Sequence, residues 1–381
     1  MTTSRRLVLV ALVLCAAPSI ARAEPHVLGR QYSRCTTCHY SPTGGGLLTP
    51  YGRSLSHQEL STFGPDASAT PAPAGRGEDA FLFGAAGGIL GPVQLGLDLR
   101  PSHLEFSVNG LDSSRNLLMN ADLTAAVQVG TWTLYGEVGR QPSSPDATID
   151  SYEYWAGRLP EAGLGIRVGR FLPAYGVRFA DHTAYNRASL GLDKYDQVLG
   201  VEVSRTTTTS LLQVSLSPGR ADALFGDADD PDDASFTASG RLQVDLSPRA
   251  TVVASALFRD ESASTPRDIA GGLAFGVSPL PRLTVWTQAD LQQVEGPVGG
   301  RTRFVVVNET AYEAARGLWL KLSPQLRTSG AEGEPDMLRT AFTLQWLPRT
   351  HWNGVLTYYR DVPRGTGVTA HTVLTQLHLY L

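Results

Sequence analysis

The feature that most restricts how this chain can fold is a two-residue alternation of apolar and polar side chains, recurring from Phe81 to Leu381. Ala121, Leu123, Ala125, Val127 and Val129 alternate with Asp122, Thr124, Ala126 and Gln128. Phe236, Ala238, Gly240, Leu242, Val244 and Leu246 alternate with Thr237, Ser239, Arg241, Gln243 and Asp245. Leu338, Thr340, Phe342, Leu344 and Trp346 alternate with Arg339, Ala341, Thr343 and Gln345. Successive side chains of a strand point to opposite faces, so each stretch has one apolar and one polar face. Beyond residue 23 there is no apolar run of the roughly 18 residues a membrane-spanning helix needs. A soluble sandwich would show the same alternation, with its apolar faces turned inward.

The connections separate the two cases. Tight links recur at Ser247–Arg249, Ser278–Pro281, Ala315–Gly317 and Leu347–Arg349. Longer polar links lie between them at Asp260–Arg267, Glu295–Arg301, Thr328–Asp336 and Asp361–Ala370. Alternating short and long links mark an outer-membrane barrel with periplasmic turns and extracellular loops. The expected fold is therefore all-β: a transmembrane antiparallel β-barrel of about 16–18 strands, such barrels using even numbers. It spans residues 80–381, with its apolar face in outer-membrane lipid and its polar face on a wet lumen. If the last strand, His371–Leu381, ends in the periplasm, parity puts the acidic stretch Asp227–Asp233 and the longest link, Phe171–Tyr195, outside. Trp132, Trp346 and Trp352 then fall beside periplasmic turns, where an aromatic girdle belongs. Many such barrels end in Phe; here Leu377, Leu379 and Leu381 keep the alternation without it. The longest link carries Arg170, Tyr175, Arg178, Asp181, His182, Tyr185 and Arg187. It reads as a loop folded into the lumen, its arginines forming an anion-attracting constriction. Arg167, Arg241, Asp245, Asp290 and Arg339 read as luminal charges.

Ahead of the alternating region, residues 1–23 read as a secretory signal: Arg5 and Arg6, then the apolar Leu7–Leu14, then Ala21-Arg22-Ala23. Cleavage before Glu24 would remove Arg5, Arg6 and Arg22, taking the formal net charge from -4 to about -7. Cys15 follows the bulky Leu14 and does not read as a lipidation site. No basic excess points to nucleic acid; lysine occurs only at 194 and 321. There is no G-x-S-x-G, H-E-x-x-H or phosphate-binding glycine loop of an enzyme.

Residues 24–63 hold Cys35-Thr36-Thr37-Cys38-His39. C-x-x-C-H is the attachment pattern of a c-type haem: two thiols add to the two vinyl groups, and the adjacent imidazole ligates the iron. A disulfide, a redox pair or half a zinc site would use the same cysteines. A redox pair belongs beside a βαβ pattern, and a zinc site needs two further ligands; neither is visible. Cofactor-binding residues are thus Cys35, Cys38 and His39, holding one covalent haem c. For the sixth iron ligand the order of preference is His57, then His26, then Met119 in a link assigned to the outside; an open site is the remaining option. Thr49 and Pro50 open a short helix to about Leu60, with Tyr51 and Leu55 on one face. Residues 64–79, rich in Ala, Pro and Gly, read as a linker. A forty-residue segment rarely buries a prosthetic group with a core of its own, so the rest of the chain is expected to cover it.

Arg30-Gln31, Cys35-x-x-Cys38-His39, Pro42 and Tyr51-Gly52-Arg53, followed by a porin-like barrel, resemble the fused monohaem cytochrome–porins, best known from iron-oxidising bacteria. The resemblance is close over the haem segment and architectural over the barrel. The chain departs from the pattern at Thr43-Gly44-Gly45-Gly46 and in the aromatic Tyr51. The resemblance implies electron transfer across the bacterial outer membrane between an extracellular donor or acceptor, ferrous iron among them, and a periplasmic cytochrome. It implies an electron-transfer protein rather than an enzyme of the usual kind. Two alternatives stand beside it. One is a solute porin whose haem segment is a plug or a periplasmic docking element; the other is a soluble exported sandwich carrying a haem.

Overall fold

The computed structural model describes residues 25–64, 77–85, 92–140, 149–193, 196–220, 236–260, 267–296, 299–331 and 333–381. The expected signal peptide with Cys15, linker residues 65–76, the acidic stretch Asp227–Asp233, Lys194 and Tyr195 lie outside them.

Within them run β1 (Val93–Val108), β2 (Leu111–Val129), β3 (Trp132–Arg140), β4 (Ile149–Arg158), β5 (Gly163–Phe171), β6 (Val198–Thr206), β7 (Ser210–Arg220) and β8 (Phe236–Ser247). They continue as β9 (Ala250–Asp260), β10 (Arg267–Leu280), β11 (Leu283–Gly296), β12 (Gly299–Ala315), β13 (Leu318–Arg327), β14 (Met337–Trp346), β15 (Trp352–Pro363) and β16 (Ala370–Tyr380). Each pairs antiparallel with its sequence neighbours, and β1 closes on β16 through Leu99–Leu379 and Val108–Ala370. The result is a closed sixteen-strand barrel, at the lower bound of the sequence expectation. Asn109-Gly110, with φ of 50° and 79°, makes a two-residue turn, and β2 runs unbroken from Leu111. That dipeptide is the turn signal for strands of right-handed twist. Met119, assigned to a link, is therefore in mid-strand, and Arg170, assigned to the long link, is inside β5.

The alternation has the expected sense. Leu123, Val129, Leu242, Leu246, Phe342 and Leu344 are exposed on the outside, whereas Asp122, Thr124, Gln243 and Gln345 are buried inside. An apolar outside with a polar inside is the inverse of a sandwich. Among the described residues no helix is long and apolar enough to cross a membrane, which says nothing about strands.

One end carries short turns throughout; the other carries the longer connections together with the Asn109-Gly110 turn, and the long link expected at Glu295–Arg301 is instead strand, β11 ending at Gly296 and β12 beginning at Gly299. The β14–β15 turn, the β2–β3 turn and Leu381 share one end, with Trp132, Trp346 and Trp352 beside it. Residues 172–193, which follow β5 at the other end, fold back into the lumen. Tyr175 Oη donates to Asp290 on β11 (3.0 Å), the Gly176 N–H to Ser255 on β9 (2.8 Å) and the Tyr185 N–H to Gln325 on β13 (2.9 Å). Arg339 on β14 donates back to the Thr183 carbonyl (2.9 Å). The core consequently sits inside the ring. Leu28, from the N-terminal segment, packs with Val177 and Phe179 of the loop and Trp286, Val305 and Val307 of the wall.

Candidate functional site: the luminal CxxCH segment

Residues 25–63 lie inside the wall at the short-turn end. Their partners surround them. The Gly29 N–H donates to Thr284 on β11 (3.1 Å), and Arg30 pairs with Glu313 on β12 (2.5 Å). Arg34 pairs with Asp245 on β8 (3.0 Å) and donates to the Thr207 carbonyl (2.7 Å). Ser41 Oγ donates to Glu153 on β4 (2.8 Å), and Arg53 donates to the carbonyls of Leu95 on β1 and Leu381. The segment leaves the barrel where Thr62 and Phe63 donate to the carbonyls of Leu347 and Pro348, each at 2.8 Å. A chain touching the inner faces of β1, β4, β8, β11 and β12 can only lie within the ring they close.

Sequence reasoning missed this set of contacts, although a signal existed. The segment carries Arg30, Arg34 and Arg53 with Glu24 and Glu59 as its acids, and the wall offers Glu153, Asp245 and Glu313 in return. Arg34 and Asp245 are both nearly inaccessible, at 4% and 7% side-chain exposure. Such a pair is costly to break from one side, because the remaining charge stays buried.

The motif is a compact turn. Cys35–Thr37 form one 3₁₀ turn, and the N–H groups of Cys38 and His39 both donate to the Cys35 carbonyl, at 3.2 and 3.0 Å. His39 pairs antiparallel with Leu48, Tyr40 N–H donates to Leu47, and Thr49 N–H to Cys38 (2.8 Å), so residues 39–48 form a hairpin lying on the motif. Gly44, Gly45 and Gly46 make its tip, with φ of 81°, 78° and 58°, a region that favours glycine. Space excludes side chains there as well. A Cβ on Gly44 would lie 3.2 Å from Cys35 Sγ, one on Gly45 would lie 3.0 Å from Arg178, and one on Gly46 would overlap the Tyr135 hydroxyl. Arg178 reaches the tip from the long loop and donates to the Gly44 carbonyl, so the two luminal elements meet at the C-x-x-C-H motif.

The helix α1 (Pro50–Leu55) follows, with Thr49 as N-cap accepting from Gly52 N–H (3.0 Å) and Pro50 at its start. It continues as one π turn, Ser56–Leu60. Tyr51 and Leu55, expected on one face, differ in environment: Tyr51 is exposed and Leu55 buried.

Cys35 is half-buried and Cys38 buried, and both are thiols. His39 is enclosed, with its Nδ1 buried and without a hydrogen-bond partner. Burial first, and the Arg178 charge second, push its pKa down to about 4, against the pull of the Gly45 and Gly46 carbonyls. A neutral imidazole is the form that ligates iron. Two thiols and a neutral imidazole in one turn, with an orphaned ring nitrogen and a glycine tip pressed to the first thiol, fit a covalently held haem. A small cavity of about 40 Å³ opens on the Cys35 side. His57 lies in the π turn, its Nδ1 also buried without a partner and its carbonyl beside Gly64 at the mouth. The structure shows no contact that brings His57 to His39. His26 falls in the turn Pro25–Arg30, and its side chain is outside the described residues. Met119 packs on Ala341, Tyr359 and Leu374, an apolar cluster separate from the one that holds Cys38.

No family profile matches this chain, and no curated protein does. Solved structures do match. OprB of Pseudomonas putida, at high pH, superposes with a TM-score of 0.61 at 8% identity, over 79% of this chain and 98% of that one. OmpF of Salmonella typhi, in complex with daunomycin, gives 0.59 at 9% identity, over 76% and 97%. An anion-selective porin from Comamonas acidovorans gives 0.56 at 9% identity, over 76% and 99%. This is the porin fold. At these identities the likeness concerns the fold alone, and the porin fold here encloses an N-terminal segment bearing C-x-x-C-H.

Proposed function

We propose that this porin-fold barrel sits in the bacterial outer membrane and carries electrons through a closed lumen, with haem c held by Cys35, Cys38 and His39. The observation that supports this most is the position of the motif within the ring. Ser41, two residues past His39, bonds Glu153, which is five residues from the short-turn end of β4. At about 3.4 Å per residue that is about 17 Å along a tilted strand. The apolar band of such barrels is about 25 Å tall, so the motif would stand near mid-membrane rather than in the periplasm.

When bound, haem c supplies one-electron chemistry at its iron. The chain's own residues hold it and keep water away. Cys35 and Cys38 would anchor the porphyrin edge, and the neutral His39 would offer its lone pair. The N-terminal segment covers the motif from the short-turn end and the 172–193 loop from the other. His57 is the preferred candidate for the sixth iron ligand, ahead of His26. The partners would be an extracellular donor or acceptor, with ferrous iron one candidate, and a periplasmic electron carrier.

A second reading is supported by the fold likeness itself: a solute porin in which residues 24–63 are a plug. The two differ in a vesicle experiment. Haem-loaded protein is reconstituted in liposomes holding a trapped oxidised dye, and a membrane-impermeant reductant is added outside. Electron transfer predicts dye reduction without solute leakage, abolished in Cys35→Ala/Cys38→Ala. Leakage, with equal dye reduction by that variant, would establish the porin reading instead.

A further inference from the structure

Short turns follow β2, β4, β6, β8, β10, β12 and β14. From β4 onward each of these turns has an arginine. Arg158 ends β4, Arg205 lies one residue before the end of β6, and Arg249, Arg282, Arg316 and Arg349 stand in the next four turns. Three of them repeat a Pro-Arg pair, at 248–249, 281–282 and 348–349. Glu161 is the one acid on the same turns. The rim is therefore strongly positive over six consecutive hairpins.

The register shows which way two of these side chains point. Arg158 stands opposite Ile166, and Arg205 opposite Leu164. Directly opposed residues share a face, and Ile166 and Leu164 are both exposed on the outside, Leu164 by 70%. Arg158 and Arg205 thus face outward, where lipid lies. Arg249, Arg282 and Arg349 follow the exposed Leu246, Leu280 and Trp346 by two or three residues. At about 3.4 Å per residue that is about 7–10 Å of chain past the apolar band. The headgroup layer on each side of a bilayer is about 5–8 Å thick, so these guanidinium groups reach its phosphates. None of the five has a side-chain hydrogen bond or ion pair among the described residues. Arg316 differs, donating over the mouth to the Gln58 carbonyl. At the opposite end arginines are paired: Arg267 with Asp260 and Glu295, at 3.8 Å each, and Arg364 with Asp336 at 3.5 Å. An unpaired charge on the lipid face is costly unless a headgroup meets it. The planar guanidinium fork fits a phosphodiester in both shape and charge.

We infer that Arg158, Arg205, Arg249, Arg282 and Arg349 form a belt that collects anionic phospholipid headgroups around the short-turn rim. The inference rests on the barrel sitting in the outer membrane with this end toward the periplasm, and it is independent of the haem. A soluble acidic partner would call for charges over the mouth, whereas Arg158 and Arg205 stand against lipid.

The test uses the full chain in mild detergent, with heat-modifiable migration showing that each variant is folded. Phosphatidylglycerol or phosphatidylcholine of identical acyl chains is titrated in, and bound lipid is counted by native mass spectrometry. Each arginine is expected to contribute about fivefold to relative affinity for the anionic lipid at low salt. The wild type should prefer phosphatidylglycerol. Arg158→Gln/Arg205→Gln and Arg249→Gln/Arg282→Gln/Arg349→Gln should each lose that preference, the matching lysine variants should keep most of it, and Arg267→Gln at the opposite end should lose none. Equal binding of the two lipids by the wild type, or an unchanged preference in both glutamine variants, would overturn the belt. Glutamine variants that keep the lipid but lose retention on polyglutamate would assign the arginines to an acidic protein instead. A wild type that takes up neither lipid would remove the membrane placement itself.

Discussion

Gly46→Ala is the sharpest probe of how the luminal segment is held. Gly46 has φ of 58°, and an added Cβ would overlap the Tyr135 hydroxyl and lie 3.0 Å from Glu137. Tyr135 has little freedom to withdraw. Its hydroxyl accepts from Leu47 N–H (3.3 Å) and donates to Glu137 (3.2 Å), and its ring stacks on Trp155 at 5.3 Å. A left-handed conformation costs a residue with a Cβ about 1–2 kcal/mol, and overpacking an occupied site adds about 1–3 kcal/mol. The sum, about 2–5 kcal/mol, would raise the undocked population of the tip by about thirtyfold to several thousandfold at 1.4 kcal/mol per tenfold. Gly110→Ala is the control, because Gly110 has φ of 79° with nothing within 4 Å of the added Cβ. It carries only the backbone cost, at a hairpin far from the segment. Hydrogen exchange followed by mass spectrometry should show residues 39–48 losing protection in Gly46→Ala, with the strands unchanged. Equal protection of 39–48 in Gly46→Ala and wild type would refute the reasoning that the tip is seated by contact with β3.

Arg34→Ala leaves Asp245 buried without its cation, and should loosen the segment by about 3–5 kcal/mol, seen as faster limited proteolysis within 24–63. Adding Asp245→Asn should restore part of that resistance; an unaltered cleavage rate in the single variant would show that the pair does not hold the segment. Thr49→Ala removes the cap accepting from Gly52 and should cost about 0.5–2 kcal/mol, measured as lost exchange protection confined to 50–60. Burial holds His182 below its ordinary pKa, against the opposing pull of Asp181 and Asp193, so the loop is seated around a neutral imidazole. Its contribution is complete above the unfolded value of about 6.5 and is lost as pH falls below it. Exchange of 172–193 should therefore quicken from pH 7.5 to 5.5 after correction for intrinsic rate, and His182→Gln should flatten that change. Cys35→Ala/Cys38→Ala should abolish haem staining while the barrel still shows heat-modifiable migration; persistent covalent stain would place attachment elsewhere.

Much of the barrel was legible because its physics is local. The alternation through Leu338–Trp346 fixes which side chains face out, and a strand reports that two residues at a time. Met119, expected in an outer link, stands in mid-strand because the Asn109-Gly110 turn lets β2 run on from Leu111. The C-x-x-C-H turn was legible because three residue types at one spacing carry its chemistry. What holds that turn was not. Arg34 and Asp245 are separated by 211 positions, and Ser41 and Glu153 by 112, so their meeting is a property of the closed ring rather than of any sequence window. The inward path of 172–193 was anticipated from its arginines, but its contact with Gly44 depends on where both elements stop inside the lumen.

Arg53 donates to the carbonyls of Leu95 and Leu381, one in β1 and the other next to β16. Those two strands seal the barrel, and the Leu381 N–H itself donates to Leu97 across the seam. The berth for Arg53 therefore does not exist until the seam has formed. The part of the chain made early is thus among the last to settle, and anything fastened to Cys35 and Cys38 must be in place before the seam shuts or enter through the mouth afterwards. Closure of the wall and docking of the arm become ordered events, and a chain halted between them would be a barrel with an empty centre and a free leading arm.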